Sequence, residues 1–188
     1  LIQGVNEMRP WPGGQLAEIR SWCNEQGVHL ILDEVMTGFG RTGTMFACQQ
    51  EEVIPDFLCL AKGLTGGYLP LAATLTTGPV FDAFLGGRDQ TFHYGHSYTA
   101  NQLGCAAALA SLRVFEEERV LETLPSRVKS LEQGLKAIAH PLVHEVRQCG
   151  LIAGLELRQE TGERFGDSNR MGERVCVAAR GYGLLTRP

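Results

Sequence analysis

The sequence predicts an α/β protein that consists of part of a large domain with a mostly parallel sheet and part of a smaller α+β domain. Two short, largely apolar runs, residues 29–32 and 57–60, precede an ionisable residue, Asp33 or Lys62, and then a glycine-rich turn. Such runs are typical of strands in a sheet covered on both faces, and open α/β sheets present reactive groups at their carboxyl edge. Beyond residue 117, helical and strand patterns follow each other without this arrangement, which indicates the α+β part.

The first elements are defined by apolar spacing and by glycine and proline. A helix is predicted up to Gly27, because apolar residues recur at helical spacing before it: Leu16, Ile19, Trp22 and Cys23. Residues 34–43 contain three glycines and are predicted to form a loop. A third strand is predicted at 71–76, and we expect it to run antiparallel to the second, since the connection is too short for a crossover helix.

The second half is predicted to begin with a loop at 86–99 and a long helix that starts at Asn101. One face of this helix carries small and apolar residues that would pack against the sheet: Leu103, Ala106, Ala107, Ala110 and Val114. The remaining predicted elements are an amphipathic helix ending near 140–141, strands at 143–148 and 151–157, a helix at 171–180 and a final strand at 184–186. The charged run 116–119 suggests a boundary between domains 1–117 and 118–188.

Composition limits the class of partner. Apolar content is 44% and the formal net charge is −4, which indicates neither disorder nor a nucleic-acid interface, so small molecules or other proteins are expected as partners. Six scattered cysteines without a C-x-x-C pair argue against a zinc site or a disulfide framework and favour the reducing cytoplasm. No apolar run approaches the roughly 20 residues that a membrane span needs. Because the chain lacks an initiator methionine and stops within a predicted strand, we expect a fragment of a larger protein.

Asp33 and Lys62 together suggest a specific chemistry. Taken singly, a lysine at a strand end is usually solvated, and an aspartate there often caps the next helix. An acid and an amine at one edge of a parallel sheet, each followed by glycines, suit pyridoxal phosphate. The lysine can bind this cofactor covalently, and the acid can keep a proton on its ring nitrogen.

The signature around these residues resembles that of the class-III aminotransferases, a family of fold-type I pyridoxal phosphate enzymes. The resemblance lies in residues 33–43, 55–56 and 62–63. Within the family, residues 61–67, 71–77, 95–105 and 183–188 are most similar to the members that act in biotin biosynthesis, whose amino donor is S-adenosylmethionine or lysine. Members that act on ornithine, 4-aminobutyrate or other ω-amino acids remain an alternative, as does a non-catalytic fragment or dimerisation module.

The resemblance implies roles for individual residues. Lys62 would be the catalytic residue and would contact both cofactor and substrate, Asp33 would pair with the ring nitrogen, and Val35 would pack on the ring face. Ser97, with Thr99 as a competitor, would bind the cofactor phosphate.

Substrate-binding roles and an assembly are implied as well. Gly95 would lie in the substrate site, and Arg187 would bind the substrate carboxylate as a planar fork of donors. Arg41 would have a structural or secondary substrate role. The family resemblance also implies a homodimer with its sites at the interface. His93 and His96 lack acidic or cysteine partners at ligand spacing, so no metal site is expected.

Overall fold

The chain consists of short strands and helices in the computed structural model, which describes residues 2–3, for the backbone only, and 7–188. The strands are β1 (Ile2–Gln3), β2 (Arg9–Pro10), β3 (Ile31–Asp33), β4 (Phe57–Leu60), β5 (Ala73–Thr76), β6 (Val143–Cys149) and β7 (Ile152–Leu157). The helices are α1 (Gln15–Gln26), α2 (Gly78–Asp82), α3 (Gln102–Glu117), α4 (Val120–Lys136) and α5 (Met171–Arg180). Single 3-10 turns occupy Ala47–Glu51, Lys62–Thr65 and Asp167–Asn169.

The sheet that carries the predicted site has the order β3-β4-β5. Strands β3 and β4 are parallel, with Asp33 opposite Cys59. Strand β5 runs antiparallel to β4, which confirms the expectation from the short connection. The expected cover on both faces is wrong for the described residues, because Leu32 is buried while Ile31 is 61% exposed. Alternate residues of a strand point to opposite faces, and in the part of the chain described here only one face has a packing partner.

The covered face packs against α1 in a core of apolar residues. Its buried members are Leu16, Cys23, Leu30, Leu32, Cys48, Val53, Leu58 and Leu60. Helix α1 ends at Gly27 in a left-handed conformation, as the sequence predicted, and Asp56 then joins the helix to the sheet. The Asp56 Oδ2 accepts hydrogen bonds from Arg20 at 2.7 Å and from the Leu30 amide at 2.7 Å. Arg20 is the main reason that the pKa of Asp56 lies below its usual value.

Helix α3 packs with a face other than the one predicted. Gly104 and Ala108 are buried, and Ser111 donates a hydrogen bond to the Gly63 carbonyl at 3.4 Å. The predicted face is exposed, with Leu103 at 73%. The helix is apolar around most of its circumference, so periodicity alone does not determine which face meets the turn at 62–65. Asn101 caps the helix start by accepting from the Gly104 amide at 3.1 Å.

The C-terminal elements form a separate two-stranded sheet beside α4. Strands β6 and β7 pair antiparallel. Leu124 and Leu135 are the buried residues of α4. Helix α4 ends at Lys136, before the predicted end at 140–141. The predicted strand at 184–186 is wrong, since these residues adopt no regular structure. An isolated strand gains no ladder hydrogen bonds, and the Leu184 amide instead donates to the Ala179 carbonyl at the end of α5, at 3.1 Å.

A network of ion pairs joins β2 to the β6–β7 hairpin. Arg9 contacts Glu145 and Glu156 at 3.1 and 3.0 Å, and Arg147 contacts the same two carboxylates at 2.6 and 3.2 Å. Arg158 holds Glu156 from the other side at 2.8 Å. The domain boundary expected near residue 117 falls between α3 and α4, and it stays a prediction.

Candidate active site

Asp33 and Lys62 lie at the same edge of the sheet. Both β3 and β4 end there, because the parallel register places Asp33 opposite Cys59, three residues before Lys62. Both side chains are exposed. The Asp33 Oδ1 accepts a hydrogen bond from the Val35 amide at 2.9 Å, which orients the carboxylate at the strand end and leaves Oδ2 accessible. Val35 itself is half-buried in the loop that follows.

The backbone at Lys62 has an unusual conformation. Lys62 has a φ of 43°, in the left-handed region that residues other than glycine seldom adopt. It opens the 3-10 turn Lys62–Thr65, in which the Leu64 amide donates to the Ala61 carbonyl at 2.9 Å. Gly66, also left-handed, closes the turn. The lysine therefore projects from a tight turn at the strand end and not from the strand itself.

Phe39 contacts this turn from the glycine-rich loop. A Cβ atom added at Gly63 would lie 2.8 Å from the Cβ of Phe39, so no side chain fits at Gly63 while Phe39 stays in place. The Phe39 ring also packs edge-on against Phe46 and Phe115, with centroid distances of 5.9 and 6.3 Å. The turn that bears Lys62 thus rests on an aromatic side chain fixed by two other rings.

Glu34 is the most deeply buried charged residue among those the structure describes, with 0% exposure. Its Oε2 accepts from the Thr37 hydroxyl at 2.9 Å and the Ala47 amide at 2.7 Å, and its Oε1 accepts from the Cys48 amide at 2.8 Å. Burial, followed by the charge of Glu34, raises the pKa of the Cys48 thiol to about 12. Cys48 is therefore a protonated packing residue and not a nucleophile.

The other predicted site residues make no hydrogen bond to Asp33 or Lys62 within the described chain, apart from the Val35 amide, which donates to Asp33. Gly95 and Ser97 belong to a fully exposed segment, ordered locally by a hydrogen bond of 2.9 Å from the His96 amide to the Thr99 hydroxyl. Arg187 is exposed beside Pro188, which approaches Gly172 of α5. Within the described residues, no hydrogen bond joins Ser97 or Arg187 to Asp33 or Lys62. The roles predicted for Gly95, Ser97, Arg187 and Val35 stay predictions.

Arg41 lies where the glycine-rich loop meets the C-terminal hairpin. Its side chain is exposed, and its carbonyl accepts from the Leu151 amide at 2.8 Å. The turn between β6 and β7 approaches the loop so closely that a Cβ added at Gly150 would lie 2.3 Å from the Thr42 carbonyl carbon. A backbone hydrogen bond does not depend on the side chain, so the role predicted for Arg41 stays a prediction.

The residues present fit the ring end of pyridoxal phosphate. An accessible carboxylate and an accessible primary amine share one sheet edge. These are the two groups that bind the protonated ring nitrogen and the aldehyde carbon of this cofactor. Among the described residues there is no cluster of three potential metal ligands. A cavity of about 490 Å³ beside the start of α5 includes none of the predicted site residues in its lining.

Sequence patterns predict Asp33 and Lys62 as site residues but not Glu34 or Phe39. Glu34 falls in a predicted loop, and its inward direction, opposite to that of the exposed Asp33, continues the alternation of the strand before it. Phe39 offered no signal, because its contact with Gly63 spans more than twenty residues of sequence and depends on the folded loop.

The chain belongs to the class-III aminotransferases, and the family matches residues 2–188. The adenosylmethionine-8-amino-7-oxononanoate aminotransferase of Nitratidesulfovibrio vulgaris is 51% identical over 193 residues, which cover 100% of this chain and 36% of that protein. The crystal structure of the enzyme of the same name from Methanocaldococcus jannaschii superposes with a TM-score of 0.91 at 44% identity, covering 100% of this chain and 45% of that one.

A taurine:2-oxoglutarate aminotransferase from Bifidobacterium kashiwanohense, solved with pyridoxal phosphate and glutamate, has a TM-score of 0.88 at 31% identity, with 98% and 42% coverage. Pyridoxal phosphate is the cofactor of this family, and its members are transaminases of the fold-type I class. The chain spans less than half the length of these relatives. No helix in the described part of the chain is both long and apolar enough to cross a membrane.

Proposed function

We propose that the protein containing this chain is a pyridoxal phosphate-dependent aminotransferase that converts 8-amino-7-oxononanoate to 7,8-diaminononanoate in biotin biosynthesis. The observation that carries the proposal is the parallel register of β3 and β4, which brings Asp33 and Lys62 to one sheet edge. The substrate is inferred from the names of relatives that are 39–51% identical over the whole chain. The same names favour S-adenosylmethionine over lysine as the amino donor.

Lys62 has two successive tasks in this proposal. Its Nζ would hold the cofactor covalently until the amine of a substrate displaces it. The freed amine would then take a proton from the substrate carbon and deliver it to the cofactor. The bound cofactor supplies the electron-withdrawing ring that stabilises negative charge at that carbon. The Lys62 side chain is exposed and opens the turn at Lys62–Thr65, which supports both tasks.

Asp33 maintains the charge state that this chemistry needs. Its accessible Oδ2 would accept a hydrogen bond from the protonated ring nitrogen and keep the proton there, while the Val35 amide keeps Oδ1 in place. Val35 would pack against one ring face. Substitution of Asp33 by Asn would retain the shape and remove the negative charge, so the ring nitrogen would lose its proton.

The remaining contacts in the proposal involve a second subunit and a second domain. In a homodimer with sites at the interface, Ser97 would bind the phosphate of the neighbouring subunit, and Gly95 would let the backbone approach the substrate. Arg187 would bind the carboxylate of the oxo-acid in a bidentate manner. We place the enzyme in the cytoplasm, in keeping with six free cysteines.

Borohydride reduction tests the assignment of Lys62. The intact protein, loaded with pyridoxal phosphate, is reduced, digested and analysed by mass spectrometry. The cofactor should be found on Lys62 and not on the other two lysines of the chain, Lys129 and Lys136. The variant Lys62→Ala should show no adduct. If the unmodified protein shows no adduct on Lys62, the catalytic proposals are wrong and a non-catalytic module becomes the better interpretation.

A half-reaction tests the substrate. S-adenosylmethionine, lysine, ornithine and 4-aminobutyrate are each mixed with the loaded protein, and loss of the visible absorption band of the lysine-bound cofactor is followed. We expect S-adenosylmethionine to discharge the band and 8-amino-7-oxononanoate to restore it. Discharge by lysine would change only the donor. Discharge by ornithine or 4-aminobutyrate alone would favour another transaminase of the family.

A further inference from the structure

We propose that Glu34 is a positioning residue for Lys62. Its buried carboxylate fixes the loop at 35–46, and Phe39 in this loop fixes the backbone at Lys62 and Gly63. The effect on chemistry rests on the proposed role of Lys62, whereas the effect on backbone order is a property of the chain itself.

The carboxylate of Glu34 closes the loop at both ends. It binds Thr37 at the start of the loop and the amides of Ala47 and Cys48 just beyond its end, through three hydrogen bonds of 2.7–2.9 Å. A fully buried carboxylate is costly unless its oxygens accept several hydrogen bonds, so these three contacts define one arrangement of the surrounding chain. The Glu34 amide also donates to the Cys59 carbonyl at 2.9 Å, which anchors the residue to β4.

The closed loop holds Phe39 in a particular conformation. Phe39 has a φ of 59°, and its amide donates to the Met45 carbonyl at 2.6 Å. Gly38 supports the same arrangement, because its amide donates to the Glu34 carbonyl at 2.9 Å. A left-handed phenylalanine persists only where its surroundings define the backbone, and the Glu34 contacts on both sides of the loop supply that definition.

Phe39 transmits this order to the lysine. Its Cβ and ring atoms lie 2.8–2.9 Å from the position of a Cβ at Gly63, so Gly63 sits directly on the aromatic side chain. The adjacent Lys62 is itself left-handed, with a φ of 43°. A strained residue relaxes when its support moves, so a displaced Phe39 would let Lys62 leave its left-handed conformation and change the position of Nζ.

The test compares Glu34→Gln with Glu51→Gln in the intact protein. Glu51 is the matched control. It belongs to the 3-10 turn Ala47–Glu51, whose first two amides bind Glu34, and its carboxylate accepts a hydrogen bond from the Ala17 amide at 3.0 Å but none from residues 35–46 in the described chain. Glutamine at position 34 replaces one acceptor oxygen by a donor, which leaves one of the amide donors without a partner. Phe39→Leu provides a second variant that leaves the Glu34 contacts intact, should Glu34→Gln fail to fold.

Three measurements separate positioning from simple support of the fold. In the cofactor-free protein, amide hydrogen exchange at residues 62–66 should accelerate at least about tenfold in Glu34→Gln and Phe39→Leu but not in Glu51→Gln. In the loaded protein, the pH midpoint of the visible band of the Lys62-bound cofactor should shift in the first two variants only. Their kcat should fall on the order of 10²-fold, with a much smaller change in KM.

The outcomes distinguish this inference from the proposed function. Unchanged exchange at residues 62–66 and an unchanged pH midpoint in a folded Glu34→Gln protein would overturn the positioning role. A protein that shows no borohydride adduct on Lys62 would overturn the proposed function, and the exchange measurement on the cofactor-free protein would still decide whether Glu34 orders the turn.

Discussion

At Gly63, a single added methyl group would meet Phe39 at 2.8 Å, so either the ring or the turn bearing Lys62 must move. We expect Gly63→Ala to lower the free energy of unfolding by about 1–3 kcal/mol, the usual cost of overpacking. The control is Gly134→Ala in α4, where a Cβ meets nothing within 4 Å and helix propensity should raise stability by about 0.5–1 kcal/mol. Chemical denaturation measures both.

The double variant Phe39→Ala/Gly63→Ala gives a further check at the residue scale. Removal of the ring opens the space that the new methyl group needs. The free energy of unfolding should therefore fall by less in the double variant than the sum of the decreases in the two single variants. Additive losses would mean that the contact between these two residues does not limit the turn.

Among single residues, the sequence could identify those whose signal is local. Asp33 and Lys62 each follow a short apolar run and precede glycines, and that pattern needs no tertiary knowledge. Glu34 has partners 13 and 14 residues away, so its contacts depend on how the loop closes. The ion pair of Arg147 and Glu145 does have a local sequence signal, because opposite charges two residues apart lie on the same face of a strand.

At the scale of elements, prediction succeeded where a segment carries its own boundary. Gly27 ends α1, and the helix predicted at 171–180 matches α5, since both are defined by local backbone preference and apolar period. Prediction failed where the structure of a segment depends on another segment of the chain. The packed face of α3 depends on the turn at 62–65, and a strand at 184–186 needs a neighbouring strand that the described residues do not provide.

The turn of the β6–β7 hairpin leads to a prediction about how elements dock. Gly150 has a φ of 60°, and a Cβ there would lie 2.3 Å from the Thr42 carbonyl carbon. Gly162 has a φ of 86° but meets nothing within 4 Å. Gly162→Ala should therefore lower the free energy of unfolding by about 1–2 kcal/mol through backbone strain alone. Gly150→Ala should lower it by about 1–3 kcal/mol more, because the hairpin must move away from the glycine-rich loop. Denaturant unfolding measures both variants. Equal costs would show that the close approach is not maintained.

The ion pairs between β2 and the hairpin predict a dependence on pH. The hydrogen bond from Arg158 is the main reason that the pKa of Glu156 falls from 4.5 to about 2, and Arg147 contributes as well. A carboxyl group with a lowered pKa stabilises the folded state above its unfolded pKa, and this stabilisation is lost as the pH falls from about 4.5 to about 2. Glu156→Gln should be less stable than the unmodified protein at pH 7, and the two unfolding free energies should converge below that window. A constant difference across it would contradict the assignment.

At the scale of the whole molecule, the described chain leaves large apolar side chains exposed. Leu103, Leu109 and Val114 of α3 are 73%, 57% and 45% exposed, and the aromatic residues at 92–98 are exposed as well. Large apolar side chains exposed in such numbers are typical of an interface, and the related enzymes are more than twice as long as this chain. We infer that other segments or a second subunit cover α3 in the intact protein.

Expression of the 188-residue chain alone tests that inference. We expect the isolated chain to bind a hydrophobic dye, to self-associate in sedimentation experiments and to show little or no transaminase activity, because its apolar faces lack their cover. Leu103→Gln should reduce dye binding by the isolated chain yet destabilise the intact protein by about 1–3 kcal/mol, since a polar group would then be buried. Arg113→Gln, at an exposed polar position of the same helix, should change neither the dye binding of the isolated chain nor the stability of the intact protein. If the isolated chain is monomeric and does not bind the dye, the exposed residues of α3 need no partner.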